Sequence, residues 1–185
     1  MPSNTIGADG TITRDARSRY RQRAEGGAHG AFEAETKRAG GSPRAEIDVV
    51  RGPAPADLTD VLGSTESEVI IRRRRMYDGD RLVQLADTYI PAFVAEAAPA
   101  VAQLDTGTGG IISRMADAGL AQTDVVEDVS QTPATAEQAE ALGVEQGELL
   151  LTILHTGRTK DGRTVEVTRH VLGRGWTLRY GVPLD

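Results

Sequence analysis

What most constrains this chain is that it states one pattern twice. Residues 55–90 read PADLTDVLGSTESEVIIRRRRMYDGDRLVQLADTYI, and residues 134–172 read ATAEQAEALGVEQGELLLTILHTGRTKDGRTVEVTRHVL. Leu62-Gly63 aligns with Leu142-Gly143, Glu68 with Glu148 and, after a small insertion, Asp78-Gly79 with Asp161-Gly162. Each copy predicts a short helix, a glycine stop and a strand-turn-strand hairpin. Thr135 before AEQAEAL is an N-cap, Gly143 supplies the left-handed position that ends a helix, and Asp-Gly between β-branched runs is a strong hairpin signal. A lone hairpin cannot bury its apolar face, so two helix-hairpin units are expected to pair into one antiparallel sheet covered by helices, an α+β fold.

The rest of the chain fits around these units. FEAETKRA, from Phe32 to Ala39, is a short helical pattern closed by Gly40-Gly41 and Pro43, and alternation through Ile47 and Val49 predicts a strand. Between the copies, DTGTGGIISRMADAGL predicts a helix that begins after Gly109-Gly110 and stops at Gly119. The alternation from Trp176 to Pro183 predicts a last strand. Residues 1–16 are expected to be a flexible arm and residues 17–185 the folded domain, with a basic segment from Arg14 to Arg23 at their junction.

Several function classes fall away. With 185 residues one core is expected, and a formal charge of -6 repels nucleic acid. The absence of cysteine removes disulfides, thiolate zinc sites and thiol nucleophiles, and fits a reducing cytoplasm. His29, His155 and His170 have no metal-site spacing, and neither a GxSxG nor a P-loop pattern occurs. The Ala-rich stretch of residues 90–104 is broken by Pro91, Glu96 and Pro99, so no membrane span and no cofactor or metal is expected.

Polar candidates cluster on the hairpins. Along a strand, Arg73 and Arg75 continue the face of Val69 and Ile71, whereas Arg72 and Arg74 share the face of Ile70 and Met76. One pair therefore follows an apolar row inward, where an arginine needs a carboxylate or an anionic ligand. On the second hairpin Val165 and Val167 share a face with Arg169, and Glu166, Thr168 and His170 form the opposite face. That polar face is either solvated or the wall of a cleft. In a cleft, Glu166 would accept from hydroxyl or amine donors while Arg73 and Arg75 clamp an anion, an arrangement suited to a sugar, an amino acid or a hydroxy acid. Gly109-Gly110 before a helix is either a plain turn or a place where backbone amides hold an anion.

The order of these motifs resembles the UTRA effector-binding domain of GntR/HutC-family transcription regulators. The resemblance runs through the stop at Gly40, Leu62-Gly63, the R-x-R strand, YDGDRLVQLADTYIP, TGTGGIISRMADAGL, the second LG stop, DGRTVEV and WTLRYGVP, over residues 17–183. The RSRY and GAFEAE segments are similar to actinobacterial versions. The resemblance implies a chorismate-lyase-like α+β fold enclosing a metabolite pocket and a homodimer. It places R-x-R on Arg73 and Arg75, the acidic position on Glu166, the ligand-gripping loop and helix start on Thr108, Gly109, Gly110, Ile111 and Ser113, and the C-terminal aromatic position on Trp176. Ala31 and Gly110 stand where sugar-phosphate-sensing members place serines.

The family's winged helix-turn-helix should precede RSRY and is not in this sequence, so DNA contact is expected only through such a domain elsewhere. The implied function is effector sensing and dimerisation, without catalysis. One alternative is a partner that forms mixed dimers with a full-length regulator. The other is a chorismate-lyase-like enzyme.

Overall fold

The computed structural model describes residues 12–15, 19, 29–38, 40–63 and 68–181. The expected arm is in part an ordered strand: β1 (Ile12–Asp15) pairs in parallel with β8 (Trp176–Arg179), while residues 1–11 and 16–18 lie outside the described residues. The last strand thus joins β1 in a small sheet of its own.

The principal sheet has six strands in the order β2-β3-β4-β7-β6-β5. They are β2 (Pro43–Gly52), β3 (Val69–Asp78), β4 (Arg81–Pro91), β5 (Asp124–Pro133), β6 (Leu149–Arg158) and β7 (Thr164–Leu172), and all neighbouring pairs are antiparallel. Each repeat proves to be a strand, a helix and a hairpin, and the sheet order mirrors about the β4/β7 seam. This is the chorismate-lyase-like α+β fold that the repeat and the resemblance implied. Strand β5, with its weak VVEDVSQ alternation, was not expected; it completes the second unit as β2 completes the first.

The helices are α1 (Ala31–Arg38), α2 (Thr59–Leu62), α3 (Ala92–Ala97), α4 (Gly110–Asp117) and α5 (Ala136–Leu142). Helix α5 has the expected start, a capping box in which Thr135 Oγ1 accepts from Gln138 N at 3.2 Å and Gln138 Oε1 accepts from Thr135 N at 3.1 Å. Its stop, Gly143, has φ +65°, and Gly63 ends α2 at φ +60°, a region in which a side chain is strained.

The repeat helices α2 and α5 cover one face of the sheet. There Leu58 and Leu62 pack on Val69, Ile71, Tyr89 and Val167, and Ala139 packs on Leu150. Helices α3 and α4 and the 3-10 turn Pro99–Ala102 cover the other face through Ile70, Ile90, Val94, Val101, Ile111 and Met115. Phe32 of α1 packs there on Met76 and Ala86. One reading of the β7 alternation is corrected: a bulge where Gly157 and Arg158 face Glu166 and Thr164 turns Val165 to the α4 side, into the same core as Ile111.

Candidate functional site

The register decides which arginines can meet Glu166. Arg72, Arg74 and Met76 stand opposite Thr88, Ala86 and Gln84 on β4, and Thr88 and Ala86 stand opposite Thr168 and His170 on β7. This row continues to His155 on β6 and shares the α4 side of the sheet with Glu166. The four-arginine run is split as strand geometry requires, but Arg72 and Arg74 are the inward pair. Arg73 and Arg75 lie on the far face, in a recess of about 670 Å³ with Asp48, Asp87 and Arg169, where Arg73 is 54% exposed and sits 3.4 Å from Asp48. The anion clamp expected of Arg73 and Arg75 with Glu166 is therefore not assembled. Alternation alone could not choose between the pairs, because both rows begin apolar.

On the α4 side the sheet is the floor of a cavity of about 450 Å³. Arg72, Arg74, His155, Glu166, Thr168 and His170 supply its polar floor; Phe32, Ala45, Ile47, Met76, Ile111 and Ile112 make an apolar wall. The polar face of β7 is thus the wall of a cleft and not a solvated surface, with Glu166 only 4% exposed. Arg72 is committed to structure: its guanidinium donates to the carbonyls of Val101 (2.9 Å), Leu104 (3.2 Å) and Gln103. Arg74 donates to Thr88 Oγ1, which is 2.7 Å from Thr168 Oγ1, and its Nε is buried with no protein partner. Burial lowers its pKa to about 10, against the attraction of Glu166, so it remains a cation at neutral pH.

Burial alone would raise the Glu166 carboxyl. The hydrogen bond and charge of His155, the bond from Gln122 and the charge of Arg74 outweigh it and hold the carboxyl below its ordinary value. Both bonds converge on Oε1, from Gln122 Nε2 at 2.5 Å and His155 Nε2 at 3.2 Å. His170 is driven the other way. Burial, then the charges of Arg14, Arg19 and Arg74, push its pKa well below 6.5, and the neutral ring accepts from Gln84 Nε2 at Nδ1, 2.8 Å away. Gln122 was not expected from the sequence and His155 was weighed only as a metal ligand, while Arg74 and His170 were placed on strand faces without being assigned to the site. The polar alternation Glu166, Thr168, His170 was the available signal.

The His170 environment has a consequence for stability. The unfolded ring takes up a proton below about pH 6.5 and the folded ring resists it, so stability falls as pH drops below that value. Glu166 adds a further loss as pH falls from about 4.5 through its depressed pKa. The melting temperature should therefore fall between pH 7.5 and 5, and His170→Gln should flatten that fall. An unchanged slope in His170→Gln would assign the titration to another group.

Gly109, Gly110 and Ile111 line the cavity where α4 begins; Thr108 and Ser113 do not. Ser113 is buried on α4, its Oγ without a protein partner, and the Thr108 carbonyl accepts from Arg114 at 3.4 Å. Gly110 has φ +66°, and a Cβ on it would lie 2.4 Å from the His29 carbonyl oxygen. That close approach accounts for glycine in place of serine. Trp176 stands one layer back, donating to the Val83 carbonyl at 2.8 Å and packing on the cluster of Phe32 and Met76.

Among the described residues no group of three or more histidines or carboxylates is placed to hold a metal, and no helix is long and apolar enough to cross a membrane. Fold and cavity together define the class: a repeated α+β sheet that floors a chamber of small-molecule size. The chain belongs to the UTRA domain family, which it matches over residues 39–173. It is 30% identical over 129 residues to the HTH-type transcriptional regulator Rv0792c of Mycobacterium tuberculosis (strain ATCC 25618 / H37Rv), a match covering 66% of this chain and 46% of that protein. The chain thus spans about half the length of this relative. PhnF from Mycobacterium smegmatis shares the fold with a TM-score of 0.74 at 18% identity, over 95% of this chain and 73% of that one. A GntR-family transcriptional regulator from Bacillus cereus does so with a TM-score of 0.63 at 16% identity, over 77% of this chain and 99% of that one.

Proposed function

We propose that the chain is the effector-sensing half of a cytoplasmic GntR regulator of the HutC type, binding a small metabolite as a homodimer and acting on DNA through a winged helix-turn-helix elsewhere in the assembly. The observation that carries this reading is a half-buried Arg74, its Nε buried and without a protein partner, and an ionised Glu166 facing one cavity with no ion pair between them. A ligand with matching polar groups, whether a sugar, an amino acid or a carboxylate, would complete both. The binding role is favoured over a lyase-like one by the state of the titratable groups. Glu166 is held ionised and committed to Gln122 and His155, and His170 is held neutral far from its usual pKa, so neither is tuned for proton transfer at neutral pH.

A route outward would start at Arg19 on the cavity lining. Arg19, from the segment before α1, lines the cavity and pairs with buried Glu35 of α1, and Arg14 of β1 pairs with Glu127 of β5. Ligand occupancy would therefore bear on the N-terminal segment, the part of the chain nearest a preceding DNA-reading domain.

A thermal-shift screen of sugars, sugar phosphates, amino acids and carboxylates tests the reading. A ligand at one hundred times its dissociation constant should stabilise by about 2.7 kcal/mol, or roughly 5–10 °C for a domain of this size. The shift should vanish in Arg74→Met and persist in Arg75→Ala. A shift lost in Arg75→Ala but kept in Arg74→Met would move the site to the far face.

A further inference from the structure

We infer that the effector is a small zwitterion, an amino carboxylate with an apolar body, whose carboxylate meets Arg74 and whose ammonium meets Glu166. This rests on the reading of the cavity as the effector site and narrows it to one chemical class.

Charge accounting on the cavity floor carries the inference. Three arginines line the chamber, but Arg72 is used by three carbonyls and Arg19 is paired with Glu35. Arg74 has no carboxylate within ion-pair distance among the described residues, and its buried Nε has no acceptor. A half-buried cation with a buried, partnerless Nε calls for an anion. Glu166 is its counterpart. Both of its hydrogen bonds among the described residues, including that from its ion-pair partner His155, fall on Oε1, so Oε2 is the carboxylate oxygen left for a donor.

The two charges do not collapse onto each other because each is braced. Thr88, itself 2.7 Å from Thr168, holds the Arg74 guanidinium, and Gln122 and His155 hold Glu166. A site that keeps opposite charges apart is complementary to a ligand that carries opposite charges apart. Beside them, Phe32, Ile47, Met76 and Ile111 offer no hydrogen-bonding side chain and suit a hydrocarbon or aromatic body.

A phosphate is disfavoured by the same accounting. Glu33 is paired with Lys37 and Asp105 stands 3.7 Å from His29, but a dianion would still meet the Glu166 carboxylate with one uncommitted arginine to balance it. A hydroxyl at position 110 is also excluded, since a Cβ there meets the His29 carbonyl.

Calorimetric titration of the full chain separates the possibilities. The probes are L-leucine, L-phenylalanine and L-tryptophan, the decarboxylated amine and the deaminated acid of each, and glucose 6-phosphate. At least one amino acid should bind ten-fold or more tightly than both of its truncated analogues. Glu166→Gln should shrink the gap between that amino acid and its deaminated acid to less than three-fold, and Arg74→Met should do the same for the gap to the amine. Circular dichroism identifies any variant that fails to fold, and the analogue comparison on the unaltered chain stands without variants. A deaminated acid that binds as well as its amino acid, or Arg74-dependent binding of glucose 6-phosphate, overturns the zwitterion and leaves the cavity as the effector site. Silence from every probe also overturns the zwitterion; silence across the broader metabolite screen as well would overturn the sensing role itself.

Discussion

An Arg72→Met chain should be less stable by about 3 kcal/mol, although the substitution keeps an unbranched side chain and leaves Arg74 and Glu166 in place. Arg72 is 3% exposed, and its guanidinium donates to the carbonyls of Val101, Gln103 and Leu104 at the end of the 3-10 turn. Each buried acceptor left without a partner costs roughly 1–3 kcal/mol. Some of that loss is offset, because burying the cation is itself unfavourable, as its lowered pKa records. The change should appear in urea denaturation as a lower midpoint at an unchanged slope. The loop released from Arg72 carries Leu104, Asp105 and Thr106 of the cavity lining, so ligand affinity should fall with it. A loss below about 1 kcal/mol would mean that the loop is anchored by other contacts.

Arg14→Met should cost more, roughly 3–5 kcal/mol, the usual penalty for removing one member of a buried ion pair. The pair joins β1 to β5 with side chains 1% and 5% exposed, and Tyr180 adds a hydrogen bond to Glu127 Oε2 at 3.0 Å. Burial, and then the charge of Glu127, push the Tyr180 hydroxyl up to about 12, so it stays a donor. With Arg14 gone, Glu127 keeps that bond but loses its countercharge. A double variant, Arg14→Met with Glu127→Leu, should regain most of the lost stability, since a buried ion pair replaced by packed apolar groups is often neutral. A double variant as unstable as Arg14→Met alone would show that the arginine acts through its other contacts.

The sheet was legible in the sequence because its information is local and repeated. Two Asp-Gly turns, two Leu-Gly stops and period-two alternation specify the hairpins, and the repeat tells them to pair. Strand β5 was not legible, since it is an edge strand with mostly exposed residues and lacks the apolar row that alternation needs. The bulge at Val165 was hidden for a different reason: an extra residue in a strand leaves no residue-type signature, yet it puts Val165 and Glu166 on one side.

The candidate site was half legible. Glu166, Gly109, Gly110 and Ile111 line one cavity, but Arg73 and Arg75, expected beside them, lie on the far face of the sheet, and Arg72 and Arg74 take that place. In a run of four arginines, 72/74 and 73/75 satisfy R-x-R equally, and a one-residue shift exchanges the faces of a strand. What separates them is the partner strand, where Arg74 faces Ala86 and Arg72 faces Thr88 on the side covered by α4. Gln122 could not be found from spacing at all, because it reaches Glu166 across 44 residues and rests on Gly157, where a Cβ would stand 2.6 Å from its amide carbon.

The most direct test of the central claim is a crystal structure of the chain with the strongest hit from the metabolite screen. The account predicts ligand density between α4 and the sheet, with an anionic group at Arg74 and a donor at Glu166. Density in the recess on the far face, against Arg73 and Arg75, would contradict it.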